Sequence, residues 1–343
     1  MFHSSSQRKH WIFSSPEEIH EQRKGVNEKY YKAHINRCKK KDPSSFFLRE
    51  SEERSLLRYY EHLLRDFCRK FRPPMPVPVM GTACTYFKRF YMNNTVMDHH
   101  PKHIMLICVY LACKIEEFNV SISQFCDNLP RGNEEASENI LNSELLVLQE
   151  LNFQLTIHNP FRPLEGFLID LKTRYPLLKE PELLRRGAEE FLHRCMASDA
   201  AFLFTPSQIS LAAILTSASK QKMNIDRYVT ESLLGGEKSE NLKDIISTIK
   251  KIKQLVAQVP TVNFEEVKRL ERKLEHCLNE EFNPESEIYK RRLQEQLDFE
   301  DDDGMMGSKI MKILIWTEKS SGKKEELPEM CLSRLEQKTT KFL

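Results

Sequence analysis

The stretch PKHIMLICVYLACKIEE, residues 101–117, decides the fold of this chain. It begins at a proline, continues through an uninterrupted apolar run at 104–113, and ends in a lysine and two glutamates. Proline is accepted in the first turn of a helix, and a helix that is apolar on every side is buried among other elements. The stretch therefore predicts the central helix of an all-helical protein.

A second stretch of the same kind, PSQISLAAILTSASK, begins at residue 206, which is 105 positions after residue 101. At this offset Ile104 aligns with Ile209, and Leu106 aligns with Leu211. A repeat of about 100 residues has the size of a domain. We therefore predict two tandem domains with one central helix each, the alternative being a chance match between two generic apolar helices.

Helical periodicity on both sides of these two stretches gives five helices followed by five more. Apolar residues recur at spacings of three and four, while prolines and short polar pairs separate the segments. The predicted helices cover 52–71, 77–91, 101–117, 121–129 and 138–151, and then 163–175, 181–197, 206–222, 225–234 and 241–257. The predicted fold class is all-α, with two tandem five-helix domains and extra N- and C-terminal helices.

The remaining segments complete a predicted domain organisation. Residues 14–18 offer an N-cap, a proline at the first turn and early carboxylates, so one exposed helix is predicted from Ser15 to Arg37. The predicted parts are an N-terminal arm and helix at 1–50, a first domain at 51–158, a second domain at 159–260, a C-terminal helix at 261–285 and a charged, disordered tail at 286–343.

Composition excludes several classes of protein. A formal net charge of +2 provides no global field that would recruit nucleic acid or an anionic membrane. The nine cysteines are odd in number and form no CxxC pair, which favours buried thiols in a reducing compartment over disulfides or a zinc site. The apolar run at 104–113 has half of the ~20 residues that a membrane helix needs. We expect a soluble intracellular protein.

The sequence contains no motif that would carry catalysis. Glycine-rich phosphate loops, HExxH and GxSxG are all absent. The nearest approach to a metal-binding set is His99, His100 and His103, which we interpret as solvated polar residues at a helix start. We therefore expect no catalytic residue, no metal and no cofactor, and interpret the chain as a binding module.

Two segments resemble a known family: LACKIEE at 111–117 and SELLVLQELNF at 143–153. They are similar to the two signature segments of the cyclin box, so the chain is identified as a member of the cyclin family. The resemblance implies that Lys114 and Glu144 hold the main chain of a helix in a kinase's amino-terminal lobe. A lysine donates to carbonyls and a carboxylate accepts from amides, as such a role requires. The alternative for this pair is an ordinary surface salt bridge, worth under ~1 kcal/mol.

The resemblance also implies a wider kinase-binding surface around the pair. Its apolar members are Ile115, Phe153 and Leu155, with Glu116 and Glu117 on the rim. The implied protein is not an enzyme but the regulatory subunit of a protein serine/threonine kinase.

Residues 10–15, 81–91 and 159–176 resemble the branch of the family that serves the CDK-activating kinase. The implied partners are the catalytic subunit of that kinase, a RING-finger assembly factor and the core of transcription factor IIH, with no direct nucleic-acid or membrane partner. The implied location is the nucleus, and the implied outputs are phosphorylation of cell-cycle kinase activation segments and of the RNA polymerase II tail. Ser5, near Arg8 and Lys9, is a candidate phosphorylation site, with a plain disordered arm as the alternative.

Two other functions stay open from sequence. One is a DNA-bound initiation factor resembling transcription factor IIB, which also uses two cyclin-type domains. Such a factor should show a zinc ribbon at its start and a strongly basic face, and this sequence shows neither. The other is a transcriptional cyclin of a different subtype, for which the His10-Trp11 opening is the discriminating feature.

Overall fold

A computed structural model of the protein describes residues 2–37, 46–129, 134–233, 239–283 and 286–291. Every regular element within these residues is a helix or a helical turn. The chain divides into two units, Met1–Pro284 and Glu285–Leu343. The helices named below all lie in the first unit.

The helices follow one another in two successive sets. A short helix α1 at Ser6–His10 and a long helix α2 at Pro16–His34 come first. The first domain then contains α3 at Glu50–Lys70, α4 at Val77–Asn93, α5 at Pro101–Ile115, α6 at Ile122–Asp127 and α7 at Glu134–Glu150. The second domain contains α8 at Phe161–Arg174, α9 at Leu183–Cys195, α10 at Pro206–Lys220, a π-helical turn at Tyr228–Leu233 and α11 at Ser239–Ala257. Helix α12 at Phe264–Cys277 follows.

The helix starts use the local signals that the sequence carries. The Ser15 side chain accepts a hydrogen bond from the Glu18 amide at the start of α2. Helix α10 begins with a capping box between Thr205 and Gln208, and its first residue is Pro206. These contacts satisfy amide groups that have no partner inside the helix.

The predicted central helices occupy the centres of their domains. Nearly every side chain of α5 from Ile104 to Cys113 is buried, and this helix packs against α3, α4 and α7. Helix α10 likewise packs against α8, α9 and α11. Each domain has its own hydrophobic core, so the predicted fold of two tandem five-helix domains is confirmed.

The internal repeat is also present in the backbone geometry. Glu117 and Lys222, which are separated by the same offset of 105, both have φ of 57°. After each of them the chain makes the same closing hydrogen bond at 2.9 Å, from the Phe118 amide to the Cys113 carbonyl and from the Met223 amide to the Ala218 carbonyl. The two central helices therefore end in the same way.

Both terminal helices pack on the first domain. In α2, Ile19 and Tyr30 are buried, and the Tyr30 hydroxyl donates to the Cys277 carbonyl at 2.8 Å. In α12, Val267, Leu270 and Leu274 belong to the first domain's core. Most residues of α2 are exposed, as predicted, but the helix also buries a narrow stripe that attaches it to the first domain.

Two further segments differ from the prediction. The helix expected at 225–234 is a π-helical turn at Tyr228–Leu233. The N-terminal arm, expected to be irregular, forms a 3₁₀ turn at Phe2–Ser4 and then α1. The disordered tail predicted at 286–343 lies, apart from 286–291, outside the described residues.

Candidate functional site

Lys114 and Glu144, predicted to act as a pair, are brought together at the surface. The Lys114 Nζ atom lies 2.7 Å from each carboxylate oxygen of Glu144. The Lys114 side chain is 42% exposed and that of Glu144 is 15% exposed. The two residues lie on α5 and α7, and the packing of these helices against each other brings the side chains together.

The position of Lys114 is fixed by its own helix. It lies in the last turn of α5, where the helix dipole favours a positive charge. Its Nζ atom lies 4.6 Å from the ring centroid of Tyr110, one turn earlier on the same face. The aromatic face attracts the ammonium group and the pairing with Glu144 directs it toward α7. The lysine side chain is therefore oriented by contacts within the chain.

The second domain does not repeat this pair. The offset of 105 places Ser219 opposite Lys114, and an offset of 104, which aligns the last helices of the two domains, places Thr248 opposite Glu144. Neither residue carries a charge. The Lys114–Glu144 ion pair therefore has no counterpart at the aligned positions of the second domain.

Apolar side chains stand exposed at the ends of the same two helices. Ile115 is 39% exposed and Phe153 is 59% exposed, while Leu155 is half-buried against the first domain's core. Sequence reasoning missed Leu141, which is 47% exposed and lies three residues before Glu144 on α7. The spacing of three residues places Leu141 on the same helix face as Glu144 and could have identified it. A leucine in an amphipathic helix is, however, more often part of the core.

The turn after α7 has an unusual backbone. Asn152 and Phe153 have φ of 50° and 54°, in the left-handed region that favours glycine. Such a conformation costs about 1 kcal/mol or more for each non-glycine residue. The predicted kinase-facing residue Phe153 is therefore presented by a strained turn.

The two rim glutamates lie in different surroundings. Glu116 accepts a hydrogen bond of 2.6 Å from the Thr82 hydroxyl, which in turn accepts one of 3.1 Å from the Asn159 amide group. Glu116 is therefore held against α4 and the segment that joins the domains. Glu117 is exposed and follows α5 in its left-handed conformation.

Ser5 is part of an ordered arm. Its hydroxyl donates to the Phe2 carbonyl at 2.7 Å and accepts from the Arg8 amide at 3.4 Å, which makes it the N-cap of α1. The side chain is half-buried. Phosphorylation of Ser5 stays a prediction. The residue is the N-cap of a helix and does not lie in an irregular segment.

The three histidines near α5 are not the solvated group that was predicted. His99 is buried, and burial lowers its pKa to about 4. His100 caps α5 by accepting from the Lys102 amide, and burial lowers its pKa to about 3. In the part of the chain that the structure describes, no cluster of three or more metal-binding side chains is placed to hold an ion. Among these same residues, no helix has the length and apolar character needed to cross a bilayer.

Family models match both halves of the chain. The model described as the cyclin N-terminal domain matches residues 29–156, and the model described as the cyclin C-terminal domain matches residues 159–257. The matches together include α3 to α11 and therefore both five-helix sets.

Individual proteins agree with this assignment. Cyclin-H of Xenopus laevis is 46% identical over 313 residues, which are 90% of this chain and 95% of that protein. A chain in the structure of the CAK complex from Chaetomium thermophilum bound to ATP-gamma-S is 25% identical, with a TM-score of 0.75 over 90% of this chain and 97% of that one. A chain in the yeast TFIIK (Kin28/Ccl1/Tfb3) complex has a TM-score of 0.54 at 20% identity, covers 74% of this chain and 99% of that one, and shows the likeness of fold alone. The chain therefore belongs to the cyclin family, in the branch that contains cyclin H.

Proposed function

We propose that this chain is the regulatory subunit of a cyclin-dependent kinase and that it binds and activates the catalytic subunit of the CDK-activating kinase. The observation that carries the proposal is the Lys114–Glu144 pair, assembled at 2.7 Å on two packed helices. Exposed Ile115 and Phe153 stand at the ends of those helices. Support for the choice of kinase comes from the likeness to Cyclin-H and to a chain of a CAK complex.

The pair is chemically suited to hold the end or a distorted turn of a foreign helix. There, carbonyl and amide groups lack partners within the helix. The ammonium group of Lys114 donates and the carboxylate of Glu144 accepts, so together they serve both kinds of group. Charge-assisted hydrogen bonds contribute about 1.5–3 kcal/mol each. Because the pair is already assembled, little side-chain freedom is lost on binding.

Activation follows from preference for one kinase conformation. A regulatory subunit that binds the active arrangement of the kinase helix more tightly than the inactive one shifts the kinase population toward the active form. That arrangement includes the kinase's own lysine–glutamate pair and its ordered activation loop. In this proposal all catalytic groups belong to the kinase, and this chain contributes none.

The proposal extends to the larger assembly implied by the sequence. A RING-finger assembly factor and the core of transcription factor IIH are the further proposed partners, and the nucleus is the proposed location. The proposed outputs are phosphorylation of cell-cycle kinase activation segments and of the RNA polymerase II tail. We also propose residues 51–158 and 159–260 as the limits of the two cyclin boxes. Support comes from the sequence resemblance and from the CAK complex that contains a similar chain.

The initiation-factor alternative has no observation in its favour. The 46% identity to a Cyclin-H extends over 90% of the chain. A zinc ribbon would need a cluster of cysteines or histidines, and the described residues contain no such cluster. We do not propose DNA binding.

The test is activation of the kinase catalytic subunit by purified full-length chain carrying Lys114→Ala and Glu144→Ala together. Loss of two charge-assisted bonds should lower activation about a hundredfold. The matched control is Lys220→Ala with Glu190→Ala, an exposed pair at 3.7 Å in the second domain, which should leave activation unchanged. Full activation by the first double variant would refute the proposed function of the pair.

A further inference from the structure

The turn that presents Phe153 is anchored on one side by Leu151, which is buried in the first domain's core, while its tip is exposed. Phe153 is 59% exposed, and both it and Asn152 have positive φ. Within the turn, the Phe153 amide donates to the Leu148 carbonyl at 2.9 Å and the Leu155 amide donates to the Phe153 carbonyl at 3.0 Å. A strained turn with an exposed aromatic tip requires contacts from outside to keep one orientation.

Gln154, between the two apolar residues assigned to the kinase, receives those contacts from two sides. Its carbonyl accepts from Arg89 Nη1 of α4 at 3.0 Å. Its side-chain Oε1 accepts from the Trp11 indole N–H at 2.6 Å. One residue later, the Leu155 carbonyl accepts from the Tyr86 hydroxyl at 2.5 Å. The turn is therefore held between α4 and the N-terminal arm.

Arg89 and Trp11 also hold each other. The guanidinium carbon of Arg89 lies 4.7 Å from the ring centroid of Trp11, and the Arg89 side chain is fully buried. Its Nε and Nη2 atoms have no hydrogen-bond partner. Burial of a charged group with unsatisfied donors opposes folding, and burial lowers the pKa of this arginine. Because the burial of Arg89 opposes folding, a contribution to stability does not explain why an arginine lies at this position.

The arm that carries Trp11 is attached to both sides of the joint between the domains. The Gln7 side chain accepts from the His158 amide at 2.7 Å. The Phe13 amide donates to the Phe202 carbonyl of the second domain at 2.8 Å. The arm thus runs beside the segment that follows the turn, and Trp11 is the point where it reaches Gln154.

We propose that Trp11 is a positioning residue for kinase recognition: by binding Gln154 and covering Arg89, it fixes the direction in which Phe153 faces. This inference rests on the proposed function and assigns part of its control to the N-terminal arm. Docking of the arm sets the affinity of the chain for its kinase. Release of the arm lowers that affinity without unfolding either domain.

A double-mutant cycle on the full-length chain tests the proposal, with the dissociation constant for the kinase catalytic subunit as the readout. Trp11→Phe keeps a ring over Arg89 and removes the donor to Gln154, so it should weaken binding about fivefold to tenfold. In a Phe153→Ala background the same change should have less than about a twofold effect, because the residue being positioned is gone. In a Lys114→Ala background it should keep its full effect. Gln154→Leu, which removes the acceptor while Trp11 remains, should reproduce the loss.

Hydrogen exchange of the free chain supplies a readout independent of the kinase. Trp11→Phe should accelerate exchange of the Gln154 and Leu155 amides and leave α10 unchanged. If Trp11→Phe leaves the dissociation constant for the kinase unchanged, the positioning role is overturned. The same holds if Trp11→Phe weakens binding equally in the wild-type and Phe153→Ala backgrounds. If Phe153→Ala and Lys114→Ala both bind the kinase normally, the proposed function itself fails, and this inference fails with it.

Discussion

The carboxylate of Asp199, in the second domain, accepts two parallel hydrogen bonds of 2.9 Å from the guanidinium of Arg23 in α2. Arg54 of α3 adds a third bond of 2.7 Å to the same carboxylate. Beside them, Lys88 of α4 donates to the Ser198 carbonyl at 2.5 Å and lies 3.6 Å from Glu61. One carboxylate therefore joins the N-terminal helix, the first domain and the second domain.

Asp199→Asn should destabilise the chain strongly. The change keeps the shape of the side chain but removes the charge with which Arg23 and Arg54 pair, so that Glu61 is the carboxylate that remains beside Arg54 and Lys88. Removal of one partner from a buried ion pair costs about 3–5 kcal/mol; because the Asp199 side chain is 21% exposed, we expect about 2–3 kcal/mol. Urea unfolding measures the loss. Asp226→Asn, at an exposed position, is the control and should change stability by less than about 0.5 kcal/mol.

The same carboxylate should make stability fall in acid. Burial pushes the pKa of Asp199 upward, but the charges of Arg54 and Arg23 outweigh that effect and hold the pKa far below its usual range. Its contribution is therefore present above pH 3.8, the ordinary value, and is lost as the pH falls further. The free energy of unfolding should decline less steeply in acid for Asp199→Asn than for wild type. Parallel curves for the two proteins would count against this role.

Glu53 should produce the opposite pH dependence. It is 7% exposed, and burial raises its pKa to about 8. The nearby charges of Glu50 and Asp98 act in the same direction, whereas the hydrogen bond that it accepts from Thr95 acts against the rise. Between the ordinary value of 4.5 and pH 8 the folded chain holds a proton that the unfolded chain has lost. The stabilisation is complete below pH 4.5 and disappears as the pH rises through 8.

Glu53→Gln is the test, because a glutamine cannot titrate and still bonds to the Thr95 hydroxyl. Urea unfolding between pH 5 and 8 gives the free energy of unfolding as a function of pH. In wild type the uptake of one proton by folded Glu53 should lower this free energy by about 1.4 kcal/mol per pH unit, and the variant should lack that contribution. An unchanged slope would mean that Glu53 is already ionised in the folded chain.

Gly81→Ala should weaken the joint between the domains. A Cβ atom at Gly81 would lie 2.6 Å from Oδ1 of Asn159, whose amide group donates to Thr82. Displacement of Asn159 should cost about 1–3 kcal/mol. Gly25 in α2 has nothing within 4 Å of the equivalent Cβ, so Gly25→Ala is the control and should stabilise by about 0.5–1 kcal/mol. Thermal or urea unfolding measures the stability of both variants. Equal changes in stability for Gly81→Ala and Gly25→Ala would contradict the close packing of Gly81 against Asn159.

The central helices and the proximity of Lys114 to Glu144 could be predicted because their signals are local. A proline followed by an apolar run predicts helix α5. Lys114 and Glu144 lie within two short segments that resemble the cyclin box. The pairing of the two residues follows once α5 and α7 pack together.

The contacts that sequence reasoning missed join residues far apart in the chain. Trp11 and Gln154 are separated by 143 positions, and Arg23 and Asp199 by 176. Periodicity describes which face of a helix is apolar and carries no information about which polar groups meet across domains. The narrow buried stripe of α2 was missed for the same reason, since it includes the polar residue Asn27.

The most direct test of the central claim exchanges the two charges of the Lys114–Glu144 pair. Lys114→Glu combined with Glu144→Lys keeps an ion pair between α5 and α7 but places donor and acceptor at each other's positions. Activation of the kinase catalytic subunit should be lost, while the thermal unfolding midpoint should fall by only a few degrees. The exchange removes the favourable charge at the end of α5 and the contact of the ammonium with Tyr110, each of which is worth about 1 kcal/mol or less. If the exchanged chain activates the kinase as well as the original, Lys114 and Glu144 form only a structural salt bridge.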